Sequence, residues 1–447
     1  MKRLSVLLAA TAVAALGIGV TTQVTVAPSA SEAAPTRTVG YFTGWSMYDA
    51  PAYWVKDVQT SGTAAKLTHL NYAFANVNQQ GKCYAITKTG EGDAYADYQN
   101  PVLAGDAVDG QADATDQPLA GHFNQLKKLK AKNPNLRVNM SIGGWTWSKY
   151  FSNAALTDAS RKAFAQSCID LYIKGNLPKL DGMDQGGPGV GAGIFDGFDL
   201  DWEWPAAEGN TGNVIRPEDK ANYVLLVQEL RKQLDAIGQT TGKRYEITTF
   251  APADAAKIDA GWDVPKLNGL FDYFNIQGYD LHGDWDKTTN HQSAIKAPAG
   301  DPSPQKWSID QTVQDWIKRG ADKSKLVVGL PFYGRGWTGV PAGPSGNGLF
   351  QTSTACANIP GSTECGYGNY KLLKPLLNQG YKLYRDEQAG FAWLYNGTNF
   401  ITYDDPTEIK RKAAYIKAQG LGGGMIWSLD GDTTTGELIT ALQSGLS

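Results

Sequence analysis

The 447-residue chain is poor in histidine and cysteine, with four of each. The spacing of Cys83, Cys168, Cys356 and Cys365 matches no zinc-ligand pattern, so neither metal nor cofactor is expected. Charged residues are also sparse, at 19% with a formal net charge of -3. No lysine/arginine run or basic stripe breaks their mixture, which argues against a nucleic-acid partner. Beyond residue 34 no apolar run is long enough to span a bilayer, which argues against stable membrane association. What remains is a globular composition, 42% hydrophobic, in a chain long enough to bury a large core. No feature asks for a second copy, and a monomer is expected.

Aromatics, by contrast, are plentiful: 13 Trp and 21 Tyr. Flat rings fill cores, and they also stack on the C–H faces of sugars. The N-terminus carries Lys2 and Arg3, then an apolar stretch over 4–20, then small and polar residues up to Ala33 and Ala34. This is a secretory signal pattern, with cleavage expected near Ala33 or Ala34 and an extracellular mature chain over 35–447. In that setting disulfides persist. Cys356 and Cys365 enclose a short Pro/Gly/Ser loop and are expected to pair, leaving Cys83 to Cys168 by elimination.

Eight apolar runs bounded by turn signals read as buried strands: 39–45, 67–77, 136–144, 195–204, 245–252, 271–283, 326–337 and 423–430. Amphipathic stretches lie between most of them, at 119–132, 158–173, 218–237, 309–319 and 407–418, and 436–442 follows the last. Eight alternating units predict an α/β fold, a (β/α)8 TIM barrel. Residues 338–399 break the alternation. A structureless loop of that length is improbable, so they are expected to form a small α+β insertion after strand seven, on the catalytic face. Another long loop, 85–117, follows the second strand. The chain ends just after the last helix, and no separate binding module is expected.

The fourth strand carries the chemistry. It reads Phe195-Asp196-Gly197-Phe198-Asp199-Leu200-Asp201-Trp202-Glu203-Trp204. Alternation places Asp199, Asp201 and Glu203 on one face and Phe198, Leu200 and Trp202 on the other. In a barrel the apolar set faces the helices, so the acids point inward. Three interior carboxylates are expensive to bury, and at such proximity they cannot all ionise. Glu203 lies nearest the C-terminal end of its strand, where barrel active sites sit, and is the candidate proton donor. Ordinary retaining glycosidases set two carboxylates about 5–5.5 Å apart across the sugar. Here all three approach from one side. The nucleophile then has to come from elsewhere, and a substrate with a 2-acetamido group carries one in its carbonyl oxygen. Asp201 is placed to hold the acetamide N–H.

The segment Asp196-Gly197-Phe198-Asp199-Leu200-Asp201-Trp202-Glu203 resembles the signature of family 18 glycoside hydrolases. Ser141-Ile142-Gly143-Gly144 resembles the family's third-strand motif, and Tyr279-Asp280 with His282-Gly283 its sixth. Residues Pro331 to Trp337, reading PFYGRGW, and Gly424 to Ser428, reading GMIWS, resemble the seventh and eighth. The resemblance runs over nearly the whole mature chain, and the insertion is similar to that of the deep-cleft, secreted bacterial chitinases. It implies chitin and chitooligosaccharides as substrates. Glu203 would protonate the glycosidic oxygen, Asp201 would orient the acetamide, and Asp199 would share a proton with Asp201. Tyr279 would donate to the acetamide carbonyl, while Asp280 and Arg335 would hold sugar hydroxyls. Trp427 would form the floor, Trp145 and Trp285 would stack on the leaving-group side, and Trp45 on the non-reducing side. Tyr41 and Phe74 would line the pocket. Where the family often has Met, this chain has Gln277, which adds a hydrogen-bonding group near the acetamide or leaving sugar. A walled cleft of this kind implies processive action near chain ends. Two other readings stay open: an endo-β-N-acetylglucosaminidase acting on N-glycans, and a non-catalytic chitin-binding lectin. An intact Glu203 weighs against the lectin, and the aromatic track against the N-glycan enzyme.

Overall fold

The computed structural model describes residues 36–447; the signal pattern lies outside the described residues. Eight strands form one parallel barrel: β1 Arg37–Thr43, β2 His69–Val77, β3 Arg137–Gly143, β4 Gly197–Asp201, β5 Glu246–Ala251, β6 Tyr273–Ile276, β7 Leu326–Pro331 and β8 Gly423–Trp427. Each pairs with its sequence neighbour, and β8 closes on β1 with Arg37 opposite Gly423 and Gly40 opposite Ile426. The eight-strand expectation is thus met by a closed ring.

The two faces of β4 separate as its period-2 pattern requires. Phe198, Leu200 and Trp202 are fully buried outside the ring. Trp202 stacks on Phe151 at 5.5 Å and meets the edge of Tyr223 at 5.1 Å. Phe151 opens the helix Phe151–Ala155, and Tyr223 belongs to the helix Asp219–Thr241. Burying each such side chain is worth roughly 1.5–3 kcal/mol, which fixes the register of the strand. The inward face of the ring mixes polar groups with a small apolar cluster that includes Val39, Val327 and Met425. Near its N-terminal end Glu246 meets Arg137 at 2.9 Å and His69 at 3.2 Å.

The seventh run, read as one strand over 326–337, is two. Phe332 donates its amide to the Trp427 carbonyl at 2.8 Å, the last rung shared with β8. From Tyr333 the chain leaves the barrel and becomes the strand Tyr333–Thr338 of a separate antiparallel sheet. That strand pairs with Ala355–Cys356, Tyr367–Asn369 and Phe400–Tyr403, and the sheet continues through Phe391–Tyr395 to Lys382–Asp386. Gly334 permits the crossing, since a Cβ there would come within 2.7 Å of the Thr402 carbonyl. Trp337, Phe391, Trp393, Tyr395 and Phe400 give the inserted sheet its own core.

Both expected disulfides are present, Cys83–Cys168 and Cys356–Cys365. The loop after β2 is ordered by a short hairpin, Thr87–Lys88 with Gly92–Asp93, and a helical turn, Tyr95–Gln99. No helix among the described residues is long and apolar enough to cross a membrane.

Candidate active site

A cleft of about 1390 Å³ opens over the C-terminal ends of the strands, between the barrel and the inserted sheet. On its floor Asp201 and Glu203 emerge from β4. Below them, on the barrel axis, is Asp199, whose carboxylate accepts four hydrogen bonds from four different strands. Tyr41 and Ser141 donate to Oδ2 at 2.6 and 2.8 Å, and Thr248 and Asn275 donate to Oδ1 at 2.6 and 3.2 Å. Burial raises the pKa of Asp199, and those donors oppose the rise.

Asp201 and Glu203 share a side-chain hydrogen bond. Burial raises both, and for Asp201 the charges of Glu203 and Asp199 raise it further. Two carboxyls so close oppose each other's ionisation. In this conformation Asp201 faces Glu203, and the shared proton anticipated between Asp199 and Asp201 is not what the contacts show. Asp201 Oδ1 is buried without a partner, an acceptor left free at the cleft floor.

The third-strand motif explains itself here. Gly143 has φ 109°, and a Cβ on it would sit 2.3 Å from the Asp201 carbonyl. The Gly144 amide donates to that same carbonyl at 2.8 Å. Two residues that the sequence did not single out hold the acid's backbone. The Glu203 amide donates to Ser148 Oγ at 2.8 Å, and Asn213 Nδ2 donates to the Glu203 carbonyl at 2.9 Å.

Tyr279 is buried with its hydroxyl turned to the site; its nearest polar contact is the Met425 sulfur at 3.9 Å. Burial and the surrounding carboxylates keep it a phenol, hence a donor. Gln277 is fixed through Oε1, which accepts the Ala253 amide at 3.2 Å, so its NH2 group is the end left to serve the cleft that it lines. Arg335 grips Asp280 with both forks, Nε to Oδ1 at 2.8 Å and Nη2 to Oδ2 at 3.0 Å. It also lies over the rings of Trp285, Tyr333 and Tyr367 at 5.1, 5.3 and 5.4 Å. Trp427 stacks against Phe74 at 5.6 Å and touches Tyr41 and Trp45. Trp45, Trp145 and Trp285 are 46%, 51% and 55% exposed within the cleft. Rings that open are not core packing. All the residues anticipated from sequence therefore gather on one face, Asp199 and Tyr41 just beneath the floor. The wall formed by Gly361 to Glu364, and Lys257, were not anticipated.

Three atoms of metal-ligating type also converge away from the cleft floor, on buried His282, His291 and Asp301. His282 Nδ1 is bonded to Asp286 at 2.8 Å, and the Ala294 amide donates to His291 Nδ1 at 3.0 Å. That second bond puts the proton of a neutral His291 on Nε2, which then presents N–H where a metal needs a lone pair.

A closed parallel ring, an acidic run on strand four beneath an open cleft and a sheet inserted after strand seven define a (β/α)8 barrel with its candidate site at the C-terminal ends of the strands. The chain belongs to the family 18 glycoside hydrolases: the model of Glycosyl hydrolases family 18 matches residues 37–432. It is 38% identical over 431 residues to Chitinase A1 of Niallia circulans, covering 91% of this chain and 58% of that one. Chitinase 63 of Streptomyces plicatus is likewise 38% identical, with 91% and 60% covered. The chain thus spans about three fifths of the length of these curated relatives. The catalytic domain of psychrophilic chitinase B from Arthrobacter TAD20 superposes with a TM-score of 0.86 at 46% identity, over 92% of this chain and 95% of that domain.

Proposed function

We propose that this protein is a secreted chitinase that hydrolyses β-1,4 links between N-acetylglucosamine units with retention, the substrate's acetamide acting as nucleophile. One observation carries the reading: Asp201 and Glu203 share the floor, and among the described residues lining the cleft Asp280 and Asp430 have both oxygens engaged elsewhere. Asp280 is engaged by Arg335 through both oxygens. Asp430 accepts from Thr43 and Ser428 through Oδ1 and from Asn369 through Oδ2. Asp49 is exposed and Asp284 half-buried; Glu364, 65% exposed at its side chain, lies 3.5 Å from Arg335.

Glu203 then delivers its proton to the glycosidic oxygen. Asp201 accepts the acetamide N–H through its free oxygen, and the Tyr279 hydroxyl donates to the acetamide carbonyl as it closes on the anomeric carbon. Asp199, in its four-donor cradle, holds the floor beneath the pair in place as the cyclised substrate forms. Trp427 supplies the platform for the distorted sugar, and Trp45, Trp145 and Trp285 extend the track. The names of the relatives, and the signal pattern at the N-terminus, support chitin as substrate and export as destination.

Chitohexaose digested in an NMR tube tests this. The first-formed reducing ends should be β, and Glu203→Gln should bind hexamer without turnover. First-formed α ends would refute retention, and full activity in Glu203→Gln would refute the assignment of the acid.

A further inference from the structure

The helix Ala255–Gly261 follows β5 and is pinned at both ends. Asp254 caps it, its side chain accepting the Ala256 amide at 2.8 Å. At the other end Gly261 lies so close to the chain after Glu203 that a Cβ on it would be 2.0 Å from the Pro205 carbonyl. Residues four apart share a helix face, so Lys257 faces the same Glu203-Trp204-Pro205 segment. Its ammonium lies 5.5 Å from the centre of the Trp204 ring, and Lys257 lines the cleft together with Glu203. Among the described residues no carboxylate forms an ion pair with it, whereas Arg335 is committed to Asp280.

We propose that Lys257 is a positioning residue for the acid: its ammonium favours the Glu203 carboxylate left behind when the proton passes to the leaving oxygen. This rests on the glycosidase reading of the site. The groups facing Glu203 are Asp201 on its own strand, Asp280 with Arg335 and the Tyr279 hydroxyl from the β6 loop, and Lys257 from the helix after β5. Glu208 and Asp254 face Lys257 itself. Of these, Lys257 is the cation not neutralised by a carboxylate at contact. Burial and Asp280 raise the pKa of Glu203, while the bond from Asp201 and the charge of Lys257 oppose them. Proton balance is simple: the proton leaves Glu203 for the glycosidic oxygen, and the carboxylate then takes one from the water that opens the cyclic intermediate.

The role has a crossed signature. Without the ammonium, Glu203 is a weaker acid and protonation slows, yet it keeps its proton to higher pH. Lys257→Met should therefore lower kcat about 3–10-fold while moving the alkaline limb of kcat/KM up by about 0.5–1 pH unit. Lys257→Arg should restore both. A lysine that merely covers Trp204 would leave the alkaline limb in place. The deciding measurement is the carboxyl titration of Glu203 by 13C NMR in protein labelled at glutamate Cδ, its signal assigned by loss in Glu203→Gln. An upward midpoint in Lys257→Met that Lys257→Arg reverses supports the proposal, and an unmoved midpoint overturns it. This arm needs no turnover, so it decides the role of Lys257 even if hydrolysis of chitin oligomers fails and the functional reading falls.

Discussion

Arg335 is the most connected cation of the cleft, and replacing it by lysine separates geometry from charge. Lysine keeps the positive charge but offers one point contact where the guanidinium makes two parallel bonds, at 2.8 and 3.0 Å. Losing one charge-assisted bond costs about 1.5–3 kcal/mol when fully buried. The side chain of Asp280 is 27% exposed and that of Arg335 13%, so water replaces part of the loss, and about 1–2 kcal/mol is expected in Arg335→Lys. The guanidinium also lies 5.1 Å from the centre of the Trp285 ring. A contact of that kind at a half-open site is worth about 0.5–1 kcal/mol. Trp285→Ala and Arg335→Lys should consequently fail to add. Urea unfolding gives the first figure. Chitohexaose titration by tryptophan fluorescence, with every variant carried in the Glu203→Gln background, gives the coupling. Unfolding energies within about 0.3 kcal/mol of the parent, or binding losses that add within that margin, would refute the claim that Arg335 orders the Trp285 wall.

Two further outcomes follow from the same contacts. Asp199, Asp201 and Glu203 all have folded pKa values raised above the ordinary carboxylate range. A raised group contributes stability that is complete below its unfolded pKa and is lost as pH rises through the folded one. Asp201→Asn, which cannot ionise, should therefore gain on the wild type as pH climbs above the ordinary aspartate value, read as a widening gap in urea midpoints; a gap that does not widen sinks the burial argument. The disulfides should differ by loop size: Cys83–Cys168 spans 85 residues and Cys356–Cys365 spans 9. Chain-entropy reasoning assigns about 4–5 kcal/mol to the first and about 2–3 to the second, so Cys83→Ser/Cys168→Ser should unfold at the lower denaturant concentration, and the reverse order would contradict the loop-entropy account.

The barrel was legible because its strands are buried on both faces and stand out as apolar runs, and because β4 writes its two faces in two chemistries. Boundaries were less legible where hydrogen-bond partners change and hydrophobicity does not. The run from Leu326 to Trp337 is interrupted by one charge, Arg335, and by no turn-length polar stretch, yet its backbone leaves β8 after Phe332 and joins Thr402 and Gly368 instead. The sixth run was read over 271–283, but the ladder ends at Ile276. Beyond it Asp280 has φ 53°, and the chain turns to present Tyr279 and Asp280 to the cleft. Lys257 and Ser148 left no signal, because a lone lysine in an alanine-rich helix and a serine after a tryptophan pair are each ordinary residues until the fold sets them beside Glu203.

That difference bears on how the site is built. The four donors to Asp199 come from β1, β3, β5 and β6, so its environment is fixed by closure of the ring and by no single motif. Asp201, by contrast, stands at the last rung of β4 and Glu203 two residues beyond it, where the ring opens to the cleft. The carboxyl deepest in the barrel is therefore held by the whole fold, while the pair above it keeps one oxygen, Asp201 Oδ1, without a protein partner. A rigid carboxylate below and an adjustable pair above is an arrangement that pure packing would not select, because it leaves a buried acceptor unsatisfied. A ligand N–H arriving at Asp201 removes that penalty, which is the physical reason the empty acceptor reads as a binding position for an amide.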